Sequence, residues 1–482
     1  MESQFNNENV DEFPKYDTKY HCSHRETSEG FTILMKWVLM TRSNSTLLER
    51  IKQFIKLFPK EINAQNKKGW TPLMLASANS QIYSTNDTVK LLLDNGADIS
   101  LKNHNGYTAL ILSSTFTHAE STEETVQLLL DYGADVDDRD IYNSTALLYS
   151  SVNCSTYSTI NTVKILLKKN PDINITYKNH TPIINLVAKY TSEKSSIEVL
   201  KMLIEAGADI NTIDKDGETP LMYACQYSGT TSSDETVQLL IDAGSKLDVK
   251  ENVYGFTALT LASQFSGTTS SNSTVQLLVD AGANLNCRDN KKWTPLMIAT
   301  SHSGKDSTEE TVRILINAGA NLDLRQNEGW TALMMASRFC CEDSTEGTVK
   351  LLLENGANPN IQDYNGYTAL LLASSNSNKG SSKNVVELLL DAGADINHQD
   401  LNDYTALAHT IELCEWNSSI GTVKLLVKRS NLCVVIKGKS IHDIINESKI
   451  SNKAKNQIRN IINDIEMINF YLTAGTILND TI

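Results

Sequence analysis

Apolar residues in this 482-residue chain come in short paired clusters set apart by polar stretches. The first of each pair reads Gly-aromatic-Thr-Pro/Ala-Leu-x-x-Ala-Ser, and the second reads Thr-Val-x-Leu-Leu-Leu-Asp-x-Gly-Ala-Asp/Asn. Clusters of this length, the second closed by a glycine, suit one short helix each, so the unit predicts two helices and a turn, followed by a polar return. A serine that opens the second half of the unit marks its period. Ser84, Ser121, Ser158, Ser195, Ser232, Ser270, Ser307, Ser344, Ser381 and Ser418 stand 37 residues apart, except for one step of 38. The stretch STEETV at 121–126 recurs at 307–312, with STEGTV at 344–349. Self-similarity at a period of roughly 20 to 50 residues is the signature of a tandem array that grows by stacking.

The helix boundaries carry physical markers. Pro72, Pro182, Pro220 and Pro295 follow the threonine at a first helical position, where a missing N–H is tolerated, and the threonine hydroxyl is placed to cap that helix. The second helix ends at Gly96, Gly133, Gly207, Gly244, Gly282, Gly319, Gly356 and Gly393, always 25 residues after the threonine except in the fourth unit, which has one residue more. Glycine there supplies the left-handed residue that ends a helix. Ser-Thr-Glu-Glu reads as a capping box at the entrance to the second helix, with Ser121 or Ser307 accepting from a backbone N–H and Glu124 or Glu310 reaching back. A phosphorylation site for an acidophilic kinase is the alternative reading of Ser-x-x-Glu.

Thr-Pro-Leu, the Leu-Leu-Leu helix and Gly-Ala-Asp-x-Asn resemble the ankyrin repeat, over about residues 28 to 437. Two departures stand out. The family's histidine after Thr-Pro-Leu is replaced by Met or Leu, so its hydrogen bonds are absent, and about four extra residues lengthen the link between the helices, to be absorbed by a longer first helix or a projecting loop. The long unit, with GWTALM and STEETV phrasing in an Asn-, Ser- and Ile-rich chain, looks like the large ankyrin families of giant DNA viruses of amoebae. The resemblance implies an all-α ankyrin-repeat solenoid of about ten 37-residue helix-turn-helix repeats with terminal caps. It also implies a concave groove, lined by hairpin tips and first helices, that binds other proteins.

An incomplete unit at Gly30-Phe-Thr32-Ile-Leu, with Ser45-Thr46 in the same register, reads as an N-terminal capping repeat over 28–66, followed by ten repeats over 67–437. Beyond Gly438, Ile458, Ile461, Ile462 and Ile465 are spaced for one apolar helical face, so 438–482 reads as a helical C-terminal cap. The polar residues 1–27 are predicted to be disordered. Some viral ankyrin proteins end in an F-box-like module that recruits a ubiquitin ligase. A proline-free tail of 45 residues argues against that adaptor here, and it stands as the alternative to simple partner binding, beside a structural or assembly role.

Charge and cysteine content narrow the function further. With 43 Lys plus Arg against 57 Asp plus Glu and a net charge of -14, no phosphate-neutralising surface is evident and no nucleic-acid partner is expected. No apolar run approaches the roughly 18 residues of a spanning helix, and the first residues lack the pattern of a signal peptide. A monomeric protein of the cytoplasm without a membrane partner is expected, and of the host cytoplasm if it is viral. Eight cysteines without a CxxC pair indicate neither a disulfide framework nor a zinc module. His21-Cys22-Ser23-His24 offers three metal ligands but reads better as solvated tail, and Cys340-Cys341 reads as incidental thiols in the interhelix link. Lys437-Gly438-Lys439-Ser440 fails as a phosphate loop because Cys433 stands where glycine is needed. No catalytic residue, cofactor or metal is expected, and the protein is not read as an enzyme.

One pattern exceeds what packing demands. The residue before each marker threonine is Trp70, Tyr107, Ser144, His180, Glu218, Phe256, Trp293, Trp330, Tyr367 and Tyr404. Its aromatic members, Trp70, Tyr107, Phe256, Trp293, Trp330, Tyr367 and Tyr404, are the candidate partner-binding residues, because rigid aromatic side chains are enriched at binding hot spots. Stacking on one another, or covering the longer link, is the structural alternative. The ladder lapses from Ser144 to Glu218, and the unit of Ser144 also replaces its usual glycines by Asn143 and Asn170, which suggests two surfaces joined by a weaker segment. Phe116, Tyr227, Phe265 and Phe339, eight residues after a threonine, could widen either surface.

Overall fold

The computed structural model describes residues 30–117, 120–154, 156–177, 180–191, 194–430 and 438–479. The expected disorder of 1–27, the His21 to His24 cluster and Cys433 to Lys437 lie outside the described residues. The chain divides into two compact units, 1–178 with 205–207, and 179–204 with 208–482. In the first unit α1 (Ile33–Val38) pairs with α2 (Leu47–Leu57), α3 (Pro72–Ala78) with α4 (Asn86–Asp94), α5 (Ala109–Thr115) with α6 (Glu123–Asp131), and α7 (Ala146–Val152) with α8 (Ile160–Leu167). Two-residue strands lie at Thr176–Tyr177 and Thr181–Pro182.

After α9 (Ile183–Lys189) and α10 (Lys194–Glu205), the second unit continues with α11 (Pro220–Tyr227), α12 (Asp234–Asp242), α13 (Ala258–Phe265), α14 (Asn272–Asp280), α15 (Pro295–His302) and α16 (Glu309–Asn317). It ends with α17 (Ala332–Phe339), α18 (Glu346–Glu354), α19 (Ala369–Ser375), α20 (Lys383–Asp391), α21 (Ala406–Glu412), α22 (Ile420–Arg429), α23 (Ile441–Glu447) and α24 (Asn452–Asn479).

Within each unit the helices form two rows. First helices stack on first helices, as α3 on α5 and α17 on α19, and second helices on second helices, as α4 on α6 and α16 on α18. Every residue of α3 is buried, Ser77 included, which fits a helix of mainly apolar and small residues held between neighbours. Its partner α4 buries only Thr88, Val89, Leu92 and Leu93 and leaves a polar outer face. The last pair keeps the pattern, with α23 on α21 and α24 on α22, and Ile458 and Ile462 are fully buried. The apolar stripe of α24 is thus spent on packing inside its own unit.

Most of the expected boundaries are present in detail. Thr71 caps α3 by accepting from Met74 N at 3.2 Å, with Pro72 in the first turn. Gly96, Gly133, Gly244, Gly282, Gly319, Gly356 and Gly393 follow second helices with φ between +85° and +94°, and a Cβ on any of them would meet nothing within 4 Å. Conformation, not space, is what selects glycine there. Asn143 and Asn170 adopt the same left-handed region at φ 66° and 52°, so their unit keeps the geometry that its sequence had put in question.

The fourth unit has a different register from the one expected. Its first helix is preceded by Pro182, which has no capping side chain, and Thr181 belongs to the strand before it. Counted from Pro182, Gly207 falls at the regular distance of 25 residues, so the extra residue lies before the helix. The slot that precedes the cap is therefore Thr181 and not His180, which is exposed.

The capping box also needs correction. Ser121 and Ser307 do not cap the second helices; Thr122 accepts from Thr125 N at 3.2 Å and Thr308 from Thr311 N at 3.1 Å. Glu310 does not reach back to a cap but pairs with Arg313 at 3.2 Å. The marker serines sit one residue earlier and point into the seam between repeats. Ser121 Oγ donates to the Ser77 carbonyl at 2.8 Å, Ser232 to Ala188 at 2.8 Å, and Ser418 to Ser374 at 2.7 Å. Each also meets a hydroxyl of the preceding repeat, such as Ser80 at 3.3 Å or Thr191 at 3.2 Å. A threonine one helical turn on joins them, with Thr125 donating to Ser80 at 2.7 Å and Thr236 to Thr191 at 2.6 Å. Buried polar groups need partners, and the marker serines Ser121 and Ser232 find theirs in the neighbouring repeat. Ser121 and Ser307 are buried, so the kinase reading meets hydroxyls that the fold encloses.

The lengthened links neither extend the first helix nor stand free. First helices keep 7 or 8 residues in the regular repeats, for example α3 and α13. Among the described residues, links donate a backbone N–H to the next link, as Gly229 to Thr269, Gly267 to Asp306 and Gly304 to Asp343, all at 2.9 Å. The series ends at Asn378, which donates to Asn417 at 2.9 Å, because Glu415 N turns back to Ser418 of its own link.

Candidate functional site

The residues before the first helices stand on tight turns, most of them tied by a side chain five residues before the threonine, while the Phe256 turn is tied by Glu251, six residues before Thr257. Asp140 Oδ1 accepts from Ser144 N at 2.8 Å, Asp363 Oδ1 from Tyr367 N at 2.8 Å, and Asp400 Oδ1 from Tyr404 N at 2.9 Å. Asn66 and Asn103 do the same for Trp70 and Tyr107. Neighbouring turns are joined in turn, with Leu401 N donating to the Asn365 carbonyl at 3.1 Å. The result is a row of turns in each unit, with one slot of the aromatic ladder on each.

The second carboxylate oxygen of these aspartates meets the first helices. Tyr149 OH donates to Asp140 Oδ2 at 2.7 Å and Tyr223 OH to Asp214 Oδ2 at 2.9 Å, while His409 Nε2 lies 2.8 Å from Asp400 Oδ2. Trp330 Nε1 donates to Asp363 Oδ2 of the next turn at 3.1 Å. Burial works against the Asp400 charge, but the hydrogen bonds from His409, Tyr404 and Asn402 outweigh it and hold its carboxyl below the ordinary range. Burial dominates at Asp289 and pushes its carboxyl up despite the N–H groups of Trp293 and Lys291. These aspartates were not singled out in the sequence. Their regular spacing before the threonine was the available signal.

The ladder does not present a uniform surface. Tyr107 and Phe256 are buried, and Trp70, Trp293, Trp330, Tyr367 and Tyr404 are half-buried. Tyr107 packs edge-on to Tyr149 of the next repeat with ring centroids 6.0 Å apart, and Phe256 stacks on Tyr254 at 5.4 Å. Trp330 lies 6.2 Å from Phe339, and Tyr367 and Tyr404 flank His409 at 5.5 and 5.1 Å. Tyr404 OH donates to Glu412 Oε1 at 3.0 Å. The structure thus gathers Tyr367, His409 and Tyr404 into one cluster, and these rings do pack on neighbours. Of the wider set, Phe116 is buried against Tyr157, and Tyr227, Phe265 and Phe339 are half-buried.

Largely exposed apolar side chains stand beside this cluster, at the tips of the same turns. Tyr364 is 61% exposed and Leu401 is 74% exposed, on adjacent turns. Trp416, in the link after α21, is also exposed. Glu415 beside it is held by Ser451, which donates from its N at 2.8 Å and its Oγ at 2.7 Å, so the tryptophan stands on an anchored link.

Where the ladder lapses, a different cluster appears. Lys189 Nζ lies 4.6 Å from the Tyr227 ring centroid, 5.5 Å from Tyr190 and 5.7 Å from Tyr223. Burial lowers the Lys189 ammonium pKa, opposed by the Glu218 charge. Burial, followed by the charge of Asp214, pushes the Glu218 carboxyl up to about 7. Among the described residues no group of three or more His, Cys, Asp or Glu could hold a metal, and no helix is long and apolar enough to cross a membrane.

Comparison with known proteins gives one family. The profile of ankyrin repeats, in three copies, matches residues 5–103, 38–140, 82–179, 184–289, 268–363 and 339–435. Similar curated proteins are ankyrin repeat proteins of Acanthamoeba polyphaga mimivirus. One is 38% identical over 101 residues, which is 20% of this chain and 17% of the relative. A second is 40% identical over 85 residues, covering 17% of this chain and 16% of the relative. A third is 36% identical over 89 residues, covering 17% and 14%. The matched stretches therefore span less than a fifth of the length of these relatives.

Proposed function

Because the chain belongs to the ankyrin-repeat family, whose repeats generally mediate protein–protein interaction, we propose that it is a non-catalytic scaffold that binds a protein partner through its turn tips and first helices. The observation that carries this reading is the patch around 364–416. There the exposed Tyr364 and Leu401 adjoin the half-buried Tyr367 and Tyr404, on turns fixed by Asp363 and Asp400. Rigid aromatic and apolar groups on a pre-organised backbone are what a binding hot spot needs, because little entropy is lost when a partner docks. Similarity to mimivirus proteins supports a host protein as the partner and the host cytoplasm as the place.

The test exploits exposure. Changing Tyr364 and Leu401 together to Ser should cost at most about 1 kcal/mol of stability, since both side chains are mostly exposed and Tyr364 loses a surface contact with the Arg325 guanidinium, 5.2 Å from its ring centroid. Affinity for the partner should fall by at least about 2 kcal/mol. Quantitative affinity purification from amoebal extract, with both proteins at equal folded concentration, reads the difference. Recovery of the same proteins in the same amounts by the variant would sink the reading.

A further inference from the structure

Among the described residues, the first helix pair carries a surface that repeat packing does not use. Leu34, Met35 and Val38 of α1 and Leu47, Ile51 and Ile55 of α2 are buried, facing the pair itself and the α3–α4 pair that follows. On α1, Ile33 and Trp37 lie one turn apart, with Met40 in the turn that follows the helix, and on α2, Phe54 and Leu57 lie one turn apart, with Phe58 next in the chain. Trp37 meets Phe54 edge-on at 5.4 Å and Phe54 meets Phe58 at 4.9 Å, which joins the two helices into one apolar surface. Its outer members are open: Leu57 is 73% exposed, Phe58 is 53% exposed, and Ile33 and Met40 are exposed as well. No helix precedes this pair among the described residues.

Charge says what kind of surface fits. In a chain of net charge -14, residues 33–60 hold six basic residues, Lys36, Arg42, Arg50, Lys52, Lys56 and Lys60, against Glu49 alone. Arg50, Lys52, Lys56 and Lys60 are exposed. Two copies would repel one another here, which disfavours face-to-face self-association. An exposed apolar set of Ile, Met, Leu and Phe beside Lys and Arg, with Trp37 half-buried among them, matches segments that lie on a bilayer, with apolar groups in the interfacial layer and cations at the headgroups.

We propose that the α1–α2 pair is a peripheral docking surface for an anionic lipid membrane. Ile33, Met40, Leu57 and Phe58 enter the interfacial layer, and Arg50, Lys52, Lys56 and Lys60 meet the headgroups. Lying on a bilayer needs no spanning helix, so the absence of a long apolar run, which led to the expectation of no membrane partner, does not bear on it.

Co-sedimentation of the full chain with vesicles of phosphatidylcholine alone, or with phosphatidylserine mixed in, tests this. Binding is expected only to the phosphatidylserine vesicles, and weaker in high salt. Changing Leu57 and Phe58 to Asp should reduce it by at least about tenfold, as should changing Arg50, Lys56 and Lys60 to Glu. These side chains are exposed, and circular dichroism confirms that each variant is folded. No sedimentation with any vesicle would overturn the proposal, as would equal binding by wild type and both variants. A mass that doubles with concentration and is restored to monomer by the Leu57 and Phe58 changes, without vesicle binding, would assign the face to a second copy instead.

Discussion

Glu218 stands where the aromatic ladder lapses, and its neighbours make stability depend on pH in a direction that can be worked out. Its N–H donates to Asp214 Oδ1 at 2.9 Å, and its carbonyl accepts from Asn185 Nδ2 at 2.8 Å, so the backbone that carries the side chain is held on both sides. Burial and the Asp214 charge, with Asp216 and Glu251 adding to them against a hydrogen bond from Tyr223, raise its pKa from the ordinary 4.5 to about 7. Lys189 is the cation that faces it from α9.

A carboxyl whose pKa is raised in the folded state holds a proton that the unfolded chain has already lost. Between 4.5 and 7 stability therefore falls as pH rises, the whole penalty is present above 7, and none remains below 4.5. At about 1.4 kcal/mol per unit the upper figure is about 3 kcal/mol. Partial solvent access and the lost attraction to Lys189 reduce what Glu218→Gln should recover to about 2 kcal/mol. Urea unfolding of both proteins, followed by circular dichroism at pH 8 and at pH 4.5, measures it. The variant should be more stable at pH 8 and equal to wild type at pH 4.5. Equal shifts at both pH values, or a less stable variant at pH 8, would refute the reasoning.

Further outcomes follow from the seam and the ladder. Ser232→Ala should cost about 1 to 3 kcal/mol because it strips a donor from the Ala188 carbonyl, whereas Ser233→Ala should cost about 1 kcal/mol as a lost cap, both read by urea unfolding. Gly356→Ala should cost about 1 to 2 kcal/mol through backbone conformation alone, and Gly356→Asn less, since open space surrounds that position. Changing Trp330 and Tyr367 to Ser should lower the melting temperature, because both rings pack on neighbours; a change in partner affinity without loss of stability would show that their exposed edges alone matter. Burial and the neighbouring Cys341 thiol push Cys340 up to about 12, so iodoacetamide at pH 8 should label the exposed Cys341 and spare Cys340, as peptide mass spectrometry would show.

The sequence pattern made the two-helix unit, its period and its glycines legible because each depends on local geometry: helical spacing for the apolar clusters, a left-handed residue after the helix. It was ambiguous where two residues of the same chemistry stand side by side. In Ser121-Thr122 either hydroxyl suits a cap, and only the neighbouring repeat, with Ser77 and Ser80 in reach, decides which turns inward. Thr181-Pro182 misled for a similar reason, since a threonine before a proline imitates the usual boundary. Exposure of the ladder was not legible, because it depends on partners at several different positions: Tyr254 and Phe339 in the same repeat for Phe256 and Trp330, and the residue four places after the threonine of the following repeat for Tyr107 and Tyr367. Tyr149 covers Tyr107 and His409 packs on Tyr367, at positions with no regular chemistry.

The serine seam also bears on how such a chain can change length. Each repeat contributes Ser or Thr donors that face backward and a carbonyl and hydroxyl that face forward, as with Ser121 against Ser77 and Ser80. A segment of one full period, cut at any phase, carries both halves of the joint. Recombination between copies that adds or deletes whole periods therefore keeps both halves of each such joint, while a fractional insertion leaves half a joint at the junction. Near-identical stretches such as STEETV at 121–126 and 307–312 are ready substrates for such exchange. On this view, the number of repeats is free to drift in lineages that carry the chain, and the chemistry of the joint is not.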